Sequence, residues 1–177
     1  ARKLKIPINA NARVYGLPII SGHVGADTAA CMLVLDIANR DQLIALMDIG
    51  TNTELIIGNK DKIFAASCPA GPAFEGGNIS CGMAGLSGAI ERIRINVDSS
   101  VSIQVIDNIS PEGICGSGLI ELLGELLRTG RMNHLGRFEN EENEFVVYSN
   151  EGNKIFLNES DLSQLAQAKG ANAAGLY

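Results

Sequence analysis

Three strand-like segments parted by short polar turns constrain the fold of this chain most. They span residues 42–49, 54–58 and 62–68, with Thr51 and Asn52 in the first turn and Asn59, Lys60 and Asp61 in the second. Turns this short join antiparallel strands, whereas parallel strands need a crossover of a dozen or more residues. A purely parallel, doubly wound sheet is therefore a poor fit. Ahead of the strands, residues 29–37 read as an apolar helix with Asp27 or Thr28 as its expected N-cap. Behind them come strand candidates at 90–97 and 101–106, then a helix at 119–128 with a Leu/Ile stripe, ended by Gly130. A weak hairpin at 145–148 and 154–157 precedes a last helix that starts near Ser160 or Asp161. The expected class is α/β, with a mixed sheet in which three antiparallel hairpin-linked strands precede alternating helix and strand.

Composition narrows the function. Hydrophobic residues make up 46% of the 177, enough for a buried core. The longest wholly apolar run, 29–35, falls far short of the ~18 residues of a membrane span, so no membrane association is expected. Twenty acids against 14 bases leave a net charge of −6, which disfavours nucleic acid as a partner. The acidity is local: seven acids (Glu139, Glu141, Glu142, Glu144, Glu151, Glu159, Asp161) face one base, Lys154, between 139 and 161. A solvated hairpin or loop explains such a cluster, and a docking surface for a basic partner is the alternative. Cys31, Cys68, Cys81 and Cys115 form no C-x-x-C pair, and His23 and His134 are not ligand-spaced. A zinc site or iron–sulfur cluster held by this chain alone is not expected. With no basic-then-apolar leader, a cytoplasmic protein with reduced thiols is expected.

The sharpest chemical signal is the string DIGTNTE from Asp48 to Glu54. Gly50 would let backbone approach a phosphate, with the Thr51 hydroxyl and nearby N–H groups donating to its oxygens. Asp48, at the end of an apolar strand, could hold a hydrated Mg²⁺. An ordinary hairpin turn accounts for the same residues equally well. Glu75, in a Gly/Pro-rich turn, is a candidate to orient an attacking or metal-bound water, or else a turn-stabilising carboxylate. The run from Gly113 through Gly116 and Ser117 to Gly118 leads into a helix N-terminus, either an anion site or a glycine turn packed on the sheet. Cys115 reads as a small buried side chain, or else a reactive thiol near a helix start, and Asp27 as a cap or a contact to ligand or to the second subdomain.

Five blocks in order carry a resemblance. They are Gly22–Thr28, Asp48–Glu54, Ala70–Gly76 with Ile79–Met83, Gly113–Leu119 and Gln167–Gly170. The hairpin is similar to the first phosphate motif of the superfamily that joins sugar kinases, acetate kinase, actin and the heat-shock chaperones. The set of five resembles the ATP-binding domain of the reductive activators of corrinoid proteins. The resemblance implies a ribonuclease-H-like fold, one subdomain of a two-lobed actin- or kinase-type ATPase. It implies ATP and Mg²⁺ as cofactors, with Asp48 on the metal through water and Glu75 on the attacking water. Gly50, Thr51, Asn52, Asp27, Gly116 and Ser117 become cofactor-binding candidates. It further implies a corrinoid protein as partner and anaerobic methyl-transfer metabolism as context. An iron–sulfur cluster elsewhere in the parent protein would supply the electron that takes cob(II)alamin to cob(I)alamin; a homodimer stays open.

The chain has no second D-x-G motif and stops at Tyr177. The expectation is a fragment, inactive alone, of an ATP-hydrolysing parent. Residues 1–40 would form a lead-in and a helix packed on the ATPase lobe, and 41–177 the first ATPase-type subdomain. Two other readings remain: a small-molecule kinase of the same superfamily, or a non-catalytic domain that docks a corrinoid protein.

Overall fold

The computed structural model describes residues 5–9, 11–139 and 143–177. Glu141 and Glu142 of the acidic stretch lie outside the described residues. The chain divides into two compact units, Ala1–Asp48 with Glu54–Ser67, and Ile49–Thr53 with Cys68–Tyr177.

The helix α1 (Ala26–Leu35), the strand β1 (Ile44–Asp48) and most of β2 (Asn52–Gly58) and β3 (Ile63–Pro69) make the first unit, the strands hydrogen-bonded in the order β1-β2-β3. β1 and β2 run antiparallel, with Met47 opposite Leu55 and Asp48 opposite Glu54, as the short turn requires. One face of the sheet is apolar: Ile44, Leu46, Ile56 and Ile63 pack with Val24, Met32, Leu35 and Ile37. The expected cap of α1 is corrected. Gly25 is the N-cap, with no side-chain cap bond. Asp27 lies inside the first turn, where its Oδ1 accepts the Thr28 N–H at 2.8 Å. A Cβ on Gly25 would stand 2.6 Å from that oxygen, so the bare glycine makes room for the folded-back carboxylate.

The second unit is built on β4 (Ala89–Ile95), which pairs antiparallel with β5 (Val101–Val105) and parallel with the two-residue β6 (Gly113–Ile114). The sheet is therefore mixed, although hydrogen bonding divides the strands among three sheets. The helix α2 (Gly116–Arg128) buries Leu119, Leu122 and Leu126 against it. α2 comes close because Gly118 has no side chain, its Cβ position being blocked by the Ile90 carbonyl. Thr129 caps α2 and Gly130 follows at φ +70°, the left-handed turn a C-terminal glycine permits. A hairpin of β7 (Glu144–Asn150) and β8 (Asn153–Asn158) leads into α3 (Glu159–Ala174). A capping box opens α3: the Asn158 side chain accepts the Asp161 N–H, and the Asp161 carboxylate accepts the Asn158 N–H. The helix thus starts at Glu159, slightly before the expected point.

The acidic stretch is only partly solvated. Glu144 pairs with Lys154 on the hairpin surface. Asp161 is buried and also accepts the Ser80 N–H (2.8 Å) and hydroxyl (3.1 Å). Glu159 binds the Phe138 N–H at 2.8 Å and Arg137 at 3.1 Å. Two carboxylates on α2 reach the open edge of β4. Glu121 accepts the Ile93 N–H at 2.9 Å, and Glu125 the Ile95 N–H at 2.7 Å. Four residues on a helix and two on a strand both advance about 6–7 Å, so the carboxylates match the spacing of the strand's free donors. Glu125 is further held by Arg94 and Arg128.

Candidate functional site

The candidate residues fall on the turn between β1 and β2 and on one segment of the second unit. β1 ends on a half-buried Asp48, and the chain turns through Ile49, Gly50 and Thr51 into β2. The register sets the Asp48 and Glu54 side chains on the same face, directly opposite. Like charges so placed repel, and a cation would relieve them. Glu54 also accepts the Ser67 hydroxyl at 3.1 Å.

In the second unit the exposed Thr51 hydroxyl donates to the Glu75 carboxylate. The Thr51 carbonyl accepts the N–H groups of Ala70 (3.0 Å) and Gly71 (2.9 Å). These bonds fix the loop against the turn from both the backbone and the side chain. Glu75 ends a single 3-10 turn, Pro72–Glu75, bracketed by Gly71 at φ +80° and Gly76 at φ +84°. Only glycine adopts both conformations without strain. Gly50 leaves the space beside the carboxylate open, since a Cβ there would come within 3.3 Å of Glu75 Oε1. Thr53, next on β2, is fully buried, and its hydroxyl has no partner among the described residues.

Oxygen donors dominate: the Thr51 hydroxyl, the Asn52 amide and the Glu75 carboxylate, all exposed. Such hard, exposed oxygens suit a hydrated Mg²⁺ and the phosphates it accompanies. No group of three or more His, Cys, Asp or Glu gathers among the described residues, so a metal here would keep water ligands, as Mg²⁺ does. The residues present fit the group.

Gly116 and Ser117 are placed differently. Gly116 begins α2 with its bare Cα against the Phe74 carbonyl, where a Cβ would collide. The Ser117 hydroxyl donates to the Glu91 carbonyl at 3.0 Å. Cys115 is buried, its sulfur 3.4 Å from the Ile90 carbonyl. The start of α2 is therefore packed onto the residue before Glu75, and its two candidates make no hydrogen bond to Thr51 or Glu75 among the described residues. Asp27 belongs to the first unit, bonded to its own helix turn. Glu54 was present in the sequence string but carried no assigned role. Its signal was the hairpin register, which forces residue 54 opposite residue 48.

Comparison with known proteins gives this geometry a family. The family described as the C-terminal domain of RACo, the ASKHA domain, matches residues 42–177. The corrinoid activation enzyme RamQ of Eubacterium limosum is 34% identical, over 96% of this chain and 32% of its own length. The [Co(II) methylated amine-specific corrinoid protein] reductase of Methanosarcina barkeri is 29% identical, over 92% of this chain and 33% of its own. A solved structure of a reductive activator for a corrinoid, iron–sulfur protein superposes with a TM-score of 0.80 at 39% identity. That match covers 90% of this chain and 28% of the solved one. The chain thus spans about a third of the length of the curated relatives it matches. Among the described residues no helix is long and apolar enough to cross a membrane. The resemblance read from the five sequence blocks and the expected actin-like fold class are both upheld: the chain belongs to the C-terminal ASKHA domain family of RACo.

Proposed function

We propose that this chain is the nucleotide-handling part of a cytoplasmic, ATP-dependent reductive activator that returns cob(II)alamin to cob(I)alamin in a corrinoid protein. The carrying observation is the Thr51 hydroxyl held on the Glu75 carboxylate beside the bare Gly50. Family membership and the names of the relatives support the substrate class. The electron would come from an iron–sulfur cluster held outside residues 1–177. Residues 41–177 would serve as the first ATPase-type subdomain.

Asp48, with Glu54 opposite, would hold the water shell of Mg²⁺. The backbone N–H groups of Gly50, Thr51 and Asn52 would position phosphate oxygens, and the Thr51 hydroxyl would give its one donor to a phosphate oxygen by turning away from Glu75. Glu75 would then be an acceptor aimed at the attacking water, able to take its proton. When bound, Mg²⁺ neutralises charge developing on the phosphate oxygens. Gly116 and Ser117 would act through the packing that fixes the Glu75 turn, and Asp27 as an outlying contact.

The test uses the complete polypeptide with its corrinoid partner, measuring ATP hydrolysis and cob(II)alamin reduction side by side. Asp48→Asn keeps shape but removes charge, and turnover should fall about 10²-fold, or roughly 2.7 kcal/mol of transition-state stabilisation. Thr51→Ala should weaken nucleotide binding by one charged hydrogen bond, about 1.5–3 kcal/mol. Wild-type hydrolysis and reduction in Asp48→Asn would reduce Asp48 to a turn residue. Loss of hydrolysis with reduction intact would uncouple ATP from electron transfer and remove the activator reading.

A further inference from the structure

The strand order β5-β4-β6 leaves one long edge of β5 without a neighbouring strand among the described residues. Which groups that edge offers follows from β4. The Ile93 and Ile95 N–H groups are taken by Glu121 and Glu125, so they point away from β5. Ile103 and Val101, which lie opposite them, are then the non-hydrogen-bonded partners of β4, while Gln104 and Ser102 are the hydrogen-bonded ones. Alternation along β5 turns the N–H and C=O groups of Val101, Ile103 and Val105 outwards, to the open edge. No loop carbonyl meets those N–H groups among the described residues.

Edges of this kind are normally blunted by a charge, a proline or a bulge. β5 carries no charge and no proline, and the register shift of the pair falls on β4, between Ile90 and Arg92. The strand instead reads alike in both directions: apolar at 101, 103 and 105, polar and uncharged at 102 and 104. Turned antiparallel onto itself about Ile103, it sets Val101 opposite Val105 and Ser102 opposite Gln104. The unused hydrogen-bonding groups also match. Ser102 Oγ accepts the Asn96 amide at 2.9 Å and keeps its proton to give. The Gln104 amide nitrogen donates to Glu91 at 2.9 Å, and its side-chain carbonyl has no partner among the described residues. The half-buried Val101, Ile103 and Val105 already pack on the core of the second unit, so their apolar surface would continue across the pair.

We propose that the β5 edge pairs with the β5 edge of a second copy of this chain, antiparallel about Ile103, across a twofold axis. Three outward-facing residues on each side exchange about six main-chain hydrogen bonds. Each Ser102 hydroxyl donates to the Gln104 side-chain carbonyl of the second copy. A second copy is favoured over an unrelated strand because the donor and acceptor left over on β5 answer each other. No like charges come together: Arg92 and Arg94 of the two copies stay three strand spacings apart, about 14 Å, beyond the ~8 Å screening length of physiological salt. This surface is independent of the nucleotide reading.

The experiment is sedimentation velocity of the complete polypeptide over a concentration series in reducing buffer. A monomer–dimer equilibrium is expected with a dissociation constant on the order of 10 μM, the scale of a small interface. Ser102→Lys with Gln104→Lys opposes lysine to lysine twice and should weaken the dimer roughly 10-fold or more. Ser102→Glu with Gln104→Lys opposes glutamate to lysine in the same register and should bring the dimer back to within about threefold of wild type. Ile103→Pro removes the central outward N–H without removing a bond to β4, and should abolish the dimer. Melting temperatures of the same samples separate lost pairing from lost fold; where the Lys/Lys variant melts early, Ile103→Pro and the Glu/Lys variant decide. A monomer at every concentration, a dimer indifferent to the lysines or to the proline, or a Glu/Lys variant no better than Lys/Lys would overturn the proposal.

Discussion

The two units of this chain use apolar residues in opposite ways. In the second, 19 buried side chains from β4, β6, β7, β8, α2, α3 and the connecting segments around Phe74, Ile79, Met132 and Phe138 merge into one cluster among the described residues. In the first, the corresponding cluster has three fully buried members, Val24, Ile37 and Ile56, yet apolar residues are no scarcer there. Leu33 and Val34 on α1 are 71% and 84% exposed, and Leu43 and Phe64 are likewise open to solvent. A helix apolar on all sides normally belongs in a buried setting, and α1 is one. The contrast teaches that hydrophobic content alone does not make a core: what matters is whether side chains on separate elements converge, as the α2 stripe does on β4.

Core truncation gives the largest effect that can break this comparison. Leu122→Ala should cost about 2–5 kcal/mol, whereas Leu33→Ser should stay within about 0.5 kcal/mol, both read from urea unfolding. If Leu33→Ser costs as much as Leu122→Ala, the exposed face is core and the contrast fails.

Next comes the ionic tie of the second unit. The hydrogen bond from Arg128, helped by the Ile95 N–H and by the charges of Arg128 and Arg94, pulls Glu125 down from 4.5 to about 2, against the opposing effect of burial. A carboxyl lowered on folding adds stability that is complete above its ordinary value and fades as pH falls towards its folded value. Unfolding free energy should therefore decline between about pH 4.5 and 2, and Glu125→Gln should flatten that decline. Glu125→Ala at neutral pH should cost about 1.5–3 kcal/mol. An acid limb unchanged by Glu125→Gln would assign it to other carboxylates. The smallest effect is at the α3 cap, where Asn158→Ala should cost about 1 kcal/mol, seen as a lowered melting temperature.

Local features were legible in the sequence and distant ones were not. The β1–β2 hairpin follows from the short turn at Gly50–Thr51, and the end of α2 from Gly130. β6 escaped because two residues pairing in parallel with Ala89 and Ile90 leave no periodic trace. The cap of α1 was misplaced because Asp27 has the right chemistry two residues too deep, while the true cap, Gly25, has no side chain to signal it. At the candidate site Thr51 and Glu75 were each visible, but their bond joins residues 24 apart. Glu125 offered an unread clue: a carboxylate between Leu122 and Leu126 on a buried stripe demands partners, and they lay on β4.

Those carboxylates have a consequence for solubility. Beyond β6, the edge of β4 would present bare N–H groups of two isoleucines, the kind of template on which a second chain adds a strand and aggregation begins. Glu121 and Glu125 occupy those donors from the side, so an incoming strand meets negative charge where it needs free hydrogen-bond donors. Because Glu125 stays ionised far into acid, its part of the guard persists where most carboxylates have lost their charge. The helix thus acts as a non-propagating stand-in for a neighbouring strand and ends sheet growth at this edge.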